Sequence, residues 1–250
     1  MVTIPEPDRA QGVFETLLVL GGRPIELDAH LERMAGSLRK LFGAEPPAEL
    51  AVLARERAAG VETGRLRLVV APADSGLRQA ATIEAVDPAI VFPGRERAPA
   101  LRSVRLEGGL GGHKMRDRSR LPGLGPDEVP LLLDAGDEVL EAGWANVLVA
   151  ADGVVSTPPL DGRILPGVTR ARVLEIARKL GIPVRERRLW RRELLGADEV
   201  MLTGSVRGIS PARSLDGEPL ADGWELGGRL AAALRELWTR SSGRPGDRTH

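Results

Sequence analysis

Cysteine and tyrosine are both absent from this 250-residue chain, and lysine occurs only as Lys40, Lys114 and Lys179. Without cysteine there can be no zinc–thiolate site, catalytic thiol or disulfide framework. The histidines are His30, His113 and His250; they are too scattered in sequence to suggest a local metal motif. Net charge is also missing, with Lys plus Arg and Asp plus Glu at 35 each. The arginines are spread along the chain, so nothing marks a nucleic-acid footprint and no nucleic-acid partner is expected. No stretch approaches the roughly 18 consecutive apolar residues of a membrane span, and MVTIPEPDRA carries charges and prolines where a signal peptide has an apolar core. A soluble, cytoplasmic protein is the expectation. The length suffices for one large domain or two modest ones with a core that needs no cross-links. If the chain forms a Schiff base, only three side-chain amines are available.

The apolar patterning predicts mixed elements. GVFETLLVL, Gly21-Gly22 and RPIEL read as a β-hairpin closed by a glycine turn. Asp28 is placed to cap a helix whose apolar residues Leu31, Met34, Leu38, Leu41 and Phe42 recur at helical spacing until Gly43, Pro46 and Pro47. An Ala-rich helix over 48–59 leads into RLRLVVA, ATIEAV and LRSVRLE, and these strands with two helices make an α+β layer. The Gly- and Arg-rich segment 108–125 carries Lys114 and is read as the connection between lobes. Beyond it, VPLLLD, EVLEA, NVLVA and GVVST look like successive strands, with Asp152-Gly153 a tight turn. A helix is predicted over 168–180 with Gly181 at its C-terminal left-handed position, then strands IPVRERR and EVMLTG, and a closing helix from about Gly223 with Leu226, Leu230, Ala233, Leu234, Leu237 and Trp238 on one face. The expected organisation is an N-terminal lobe over 1–107, the connecting segment 108–125, a second lobe over 126–240 and a disordered tail over 241–250.

Several residues could carry chemistry, and each has an ordinary structural reading beside the functional one. Lys114, in GGHKMRDR, has His113, Arg116 and Arg118 adjacent; desolvation and neighbouring cations would disfavour its ammonium, whereas the plain alternative is an exposed loop lysine. Glu141 precedes Asn146 by five residues; it could be a solvated hairpin glutamate, and Asn146 could simply hold a turn. Gly167-Val168-Thr169-Arg170 begins a helix whose N–H groups, with the Thr169 hydroxyl, could meet an anion, or Thr169 could merely cap. Gly204-Ser205-Val206 follows a strand, and Arg33 sits in HLERMAGSL as either an anion clamp or an exposed helix arginine.

Taken in order, these elements resemble the fold-type IV pyridoxal-phosphate (PLP) enzymes, the class IV aminotransferases, over roughly Gly12 to Ala212. The resemblance implies an α+β, two-domain fold (D-amino acid aminotransferase-like), with a smaller N-terminal α/β sandwich lobe, a C-terminal pseudo-barrel lobe and PLP between them. It implies a Schiff-base role for Lys114 and a carboxylate, Glu141, that pairs with the pyridine nitrogen, followed by Asn146. Phosphate contacts would come from Arg33, Val168, Thr169, Gly204 and Ser205. It further implies a small-molecule substrate and a homodimer. Within the family, the missing tyrosines and the lack of an Arg-x-His carboxylate trap count against the branched-chain and D-amino acid aminotransferases. FETLLVLGGRPIELDAHLERMAGSL and Lys114-Met115-Arg116-Asp117-Arg118 resemble instead 4-amino-4-deoxychorismate lyase, although Asp117 stands where Asn is usual. Arg67, Arg95, Arg97 and Arg207 are possible substrate-carboxylate contacts.

Overall fold

A computed structural model describes residues 6–125 and 127–240. The segment 241–250, expected as a disordered tail, lies outside the described residues.

Three sheets carry the chain. The first is antiparallel, in the order β2-β1-β3-β4, from β1 (Val13–Leu20), β2 (Arg23–Pro24), β3 (Thr63–Pro72) and β4 (Leu77–Ala85). Gly21 and Gly22 close the β1–β2 hairpin with φ of 53° and 76°, a conformation that favours glycine. Helices α1 (Leu27–Phe42) and α2 (Leu50–Ala58) cover this sheet. They bury Met34, Leu38, Leu50 and Ala54 against Leu17, Leu66 and Leu68, each aliphatic side chain contributing on the order of 1.5–3 kcal/mol by leaving water. Helix α1 does not start on an Asp28 cap. Its N-cap is Glu26, in the left-handed region, with no side-chain capping bond, because the Glu26 carboxylate is taken by Arg172 through two hydrogen bonds of 2.9 Å.

The second sheet runs β11-β7-β6-β5-β14-β15, from β5 (Ala100–Arg105), β6 (Glu128–Leu133), β7 (Glu138–Ala142), β11 (Leu189–Trp190), β14 (Ser214–Leu215) and β15 (Glu218–Pro219). The strand LRSVRLE therefore does not join the N-terminal layer. As β5 it pairs in parallel with β6 from Ala100↔Glu128 to Arg105↔Leu133, a non-local pairing that its own alternation could not reveal. The third sheet, β10-β9-β8-β12-β13, uses β8 (Asn146–Ala151), β9 (Val154–Thr157), β10 (Val184–Glu186), β12 (Glu199–Gly204) and β13 (Gly208–Pro211). Asp152 and Gly153, both at positive φ, make the tight β8–β9 turn.

Leu131, Val139, Val147, Val149, Val200 and Leu202 join the second and third sheets in one apolar core. The other face of the third sheet is covered by α3 (Val168–Lys179) and α5 (Glu225–Arg240), where Val173, Ala177, Leu230 and Leu234 pack against Leu148, Met201 and Ile209. The short helix α4 (Arg191–Leu195) adds Leu194 to the inter-sheet core. Among the described residues, no helix is long and apolar enough to cross a membrane.

Candidate active site

A cavity of about 390 Å³ opens where the first sheet, the β7–β8 corner, the start of α3 and the β12–β13 turn converge. Lys114, Glu141, Arg33, Asn146, Val168, Thr169, Gly204 and Ser205 all line it. The structure thus brings together every residue singled out above as a catalytic or cofactor contact.

The segment carrying Lys114 has no regular structure, but it is not a free loop. Phe14 N–H donates to the Lys114 carbonyl (3.0 Å) and Arg116 N–H donates to the Gly12 carbonyl (2.9 Å), so residues 114–116 are bridged to the start of β1. Gly12, just before β1, is itself packed tightly against β3: at φ 77°, a Cβ there would lie 2.1 Å from the Val70 carbonyl oxygen. The Lys114 ammonium sits 5.0 Å from the centroid of the Phe14 ring. Although the lysine keeps partial accessibility through the cavity, burial of its ammonium pulls its pKa down to about 7, with Arg33 and Arg118 adding to the effect and Glu15 and Glu141 opposing it. Lys114 can therefore be a neutral amine near physiological pH. Lys40 is an exposed residue of α1, and Lys179 is an exposed residue of α3 paired with Glu175.

Glu141 lies within β7, 4% exposed, and not on a solvated hairpin. Burial raises its carboxyl to about 7 against the opposing pull of the Leu165 N–H (3.2 Å), Arg118, Lys114 and Arg33. Asn146, the first residue of β8, donates from Nδ2 to the Leu165 carbonyl at 3.0 Å. Glu141 and Asn146 thus hold the same residue, Leu165, one through its N–H and the other through its carbonyl, fixing the approach to α3. Gly167 is required by this packing, since a Cβ there would fall 1.9 Å from Asn146 Oδ1.

Helix α3 starts at Val168 with Gly167 as N-cap and no side-chain cap, so Thr169 does not cap it. Gly167, Val168 and Thr169, at the start of this 12-residue helix, line the cavity, and a helix start without a side-chain cap favours an anion. Arg33 is not an exposed helix arginine: its side chain is 10% exposed. It is held from below by Glu15, through Nε (2.8 Å) and Nη2 (2.5 Å), and it donates from Nη1 to the Pro166 carbonyl at 3.0 Å. His30 Nδ1 lies 2.7 Å from the same carboxylate. Burial alone would raise the Glu15 carboxyl; Arg33 and His30 bring it down to about 2 instead.

Of the four arginines considered for substrate, Arg67 and Arg207 line the cavity. Arg97 instead pairs with Asp87 at 2.8 Å, and Arg95 donates to the Ala221 carbonyl at 3.2 Å. Sequence reading missed Glu15, an acid within a largely apolar strand, and Trp144, a cavity residue whose ring carries Arg207 at 5.3 Å. The residues present fit a phosphate-bearing aldehyde: a buried amine of low pKa, a buried carboxyl and an uncapped helix start surround one cavity.

Comparison with known proteins assigns the class. The Amino-transferase class IV family matches residues 12–106 and 113–215, and the chain belongs to that family. Its α+β, two-lobed architecture is that of fold-type IV, and class IV aminotransferases are PLP-dependent enzymes. The crystal structure of 4-amino-4-deoxychorismate lyase from Pseudomonas aeruginosa is 28% identical and superposes with a TM-score of 0.73 over 94% of this chain and 96% of that one. A hypothetical aminotransferase from Mycobacterium tuberculosis, solved in PLP-bound form, is 22% identical with a TM-score of 0.77 over 93% and 90%. The branched-chain-amino-acid aminotransferase of Escherichia coli K12 is 40% identical over 93 residues, 37% of this chain and 30% of that protein. The aligned segment thus spans less than a third of that curated relative.

Proposed function

We propose that the protein is a 4-amino-4-deoxychorismate lyase, splitting aminodeoxychorismate into p-aminobenzoate and pyruvate in folate synthesis. The observation that carries this reading is the cavity wall: it has arginines and no tyrosine, which suits a substrate with more than one carboxylate. Near-complete mutual coverage with the Pseudomonas aeruginosa lyase supports it.

In this reading Lys114 holds the cofactor's aldehyde carbon, Glu141 its ring nitrogen with Asn146 fixing the neighbouring loop, and Arg33, Val168, Thr169, Gly204 and Ser205 its phosphate. When bound, PLP supplies an electron-withdrawing ring that stabilises negative charge on the substrate's amine-bearing carbon. Once the substrate's amine has replaced it on the aldehyde carbon, the released Lys114 Nζ, neutral near pH 7, would take the proton from the amine-bearing carbon. The carbon–oxygen bond to the enolpyruvyl group breaks with its electron pair leaving on oxygen, the carbocycle becomes aromatic, and Lys114 returns a proton to the departing enolpyruvate. No oxidant is consumed. Phe14 walls the base on one side, limiting the water that could compete for the proton. Glu141 keeps its negative charge beside a cationic ring nitrogen, which offsets the burial that raises its pKa.

The second reading is an amino-acid transaminase of branched-chain or D-amino acid type, favoured by the 40% identity of the segment shared with the Escherichia coli enzyme. Assay of the purified PLP-loaded protein with aminodeoxychorismate, beside branched-chain and D-amino acids with 2-oxoglutarate, separates the two. Release of p-aminobenzoate supports the lyase, and keto-acid-dependent amino transfer as the dominant activity replaces it. We further propose a cytoplasmic homodimer; a solution mass equal to one chain would remove the dimer.

A further inference from the structure

Among the cations lining the cavity, two already have carboxylate partners: Arg33 is bound to Glu15 and Arg65 to Glu84. Arg67, Arg118 and Arg207 have no ion pair among the described residues, and their recorded partners are aromatic faces. Arg67 and Arg118 lie 4.9 and 5.3 Å from the centroid of Phe14, and Arg207 lies 5.3 Å from that of Trp144. A guanidinium stacked on a ring keeps its in-plane N–H fork free to bind a carboxylate. Holding such charges without a counter-ion is unfavourable; burial pushes the pKa of both Arg118 and Arg207 below the usual arginine range.

The two aromatic platforms belong to different walls. Phe14 and Arg67 stand on β1 and β3 of the first sheet, with Arg118 on the segment after Lys114. Arg207 ends the turn between β12 and β13, where Gly204 pairs with Gly208. Its backbone and that of the next residue both lie against Phe92. The Arg207 carbonyl accepts from Phe92 N–H at 2.9 Å, and Gly208, at φ 66°, has no room for a Cβ because Phe92 would lie 2.4 Å away. Trp144 is similarly confined, 3.2 Å from where a Cβ on Gly204 would be.

We propose that Arg67 with Arg118, and Arg207 on Trp144, are two separate carboxylate anchors on opposing lobes, and that they determine specificity for a substrate bearing two carboxylates. This rests on the lyase reading for the identity of the substrate, but the anchoring itself is a binding property that can be measured without turnover. Chorismate, which has two carboxylates and a hydroxyl in place of the reacting amine, and 4-hydroxybenzoate, which has one carboxylate, serve as probes on the PLP-loaded protein.

Calorimetric titration is expected to show chorismate binding at least about tenfold more tightly than 4-hydroxybenzoate. Arg207→Gln and Arg67→Gln should each weaken chorismate about tenfold or more, the loss expected for one charge-assisted pair, with PLP affinity unchanged. Equal affinity for the two probes, or unchanged chorismate binding in both variants, would overturn the proposal. So would a loss of PLP affinity without a loss of chorismate binding, which would assign these arginines to the cofactor. If p-aminobenzoate is not formed from aminodeoxychorismate but the variants still weaken chorismate, the reaction is misassigned and the anchors stand. If p-aminobenzoate is formed and neither variant alters chorismate binding or KM, the anchors alone fail.

Discussion

Replacing Glu141 by Gln separates two effects that a purely structural residue would not separate. The carboxyl is buried in β7, with its Oε2 3.2 Å from Leu165 N, and the amide keeps an oxygen able to accept that hydrogen bond. In the cofactor-free protein burial raises the Glu141 pKa from 4.5 to about 7. The folded state therefore binds the proton more tightly than the unfolded one, and stability declines as pH rises from 4.5 to 7, the penalty reaching about 3 kcal/mol above that range. Gln carries no such penalty. Cofactor-free Glu141→Gln should match wild type near pH 4.5 and be more stable at pH 8, by up to that amount. In the PLP-loaded enzyme the order reverses for function: without the negative charge at the ring nitrogen, turnover should fall roughly ten- to a hundredfold, the equivalent of about 1.5–3 kcal/mol, while PLP occupancy changes little. Urea denaturation at several pH values and steady-state kinetics measure the two arms. A variant that is less stable at pH 8, or that turns over at the wild-type rate, would refute the reasoning.

Borohydride reduction of the PLP-loaded protein followed by peptide mapping is expected to place the pyridoxyl group on Lys114. The rate of PLP capture by the cofactor-free protein should rise with pH through about 7, where this amine becomes neutral; label on Lys40 or Lys179, or a midpoint near 10, would contradict the assignment. Glu15 has a folded-state pKa of about 2 against 4.5, so it contributes about 3 kcal/mol above pH 4.5 that is lost as pH falls through 2. Acid unfolding curves of Glu15→Gln should lack that slope, and PLP should bind more weakly as Arg33 loses its support; an unchanged slope would remove the carboxylate from this role. Gly167→Ala puts a Cβ 1.9 Å from Asn146 Oδ1 and should cost about 1–3 kcal/mol through overpacking, with weaker PLP binding; wild-type Tm and Kd would show that the loop is looser than described.

Local elements were readable where one feature decided them. Gly21-Gly22, Asp152-Gly153 and Gly181 marked turns and a helix end because the positive φ each adopts favours Gly or Asp, and the helices announced themselves by apolar spacing. The hidden features were non-local. That β5 pairs with β6 depends on a partner more than twenty residues away, and the start of α1 on Glu26 depends on Arg172, 146 residues distant. The ordered resemblance singled out residues that share one cavity; their environments were not legible. Nothing local showed that Lys114 is clamped to β1 or that Glu15 anchors Arg33 from below. Nor could the sequence exclude Arg95 and Arg97 from the cavity, since an exposed ion pair such as Arg97–Asp87 requires only a chance neighbour in space.

The lyase assignment is tested most directly by product stoichiometry. Incubated with aminodeoxychorismate and no added keto acid, the PLP-loaded protein is predicted to release p-aminobenzoate and pyruvate in equal amounts over many turnovers, and Lys114→Ala neither. Consumption that stops after a single turnover until a keto acid is supplied, or the absence of p-aminobenzoate while amino acids are transaminated, would contradict it.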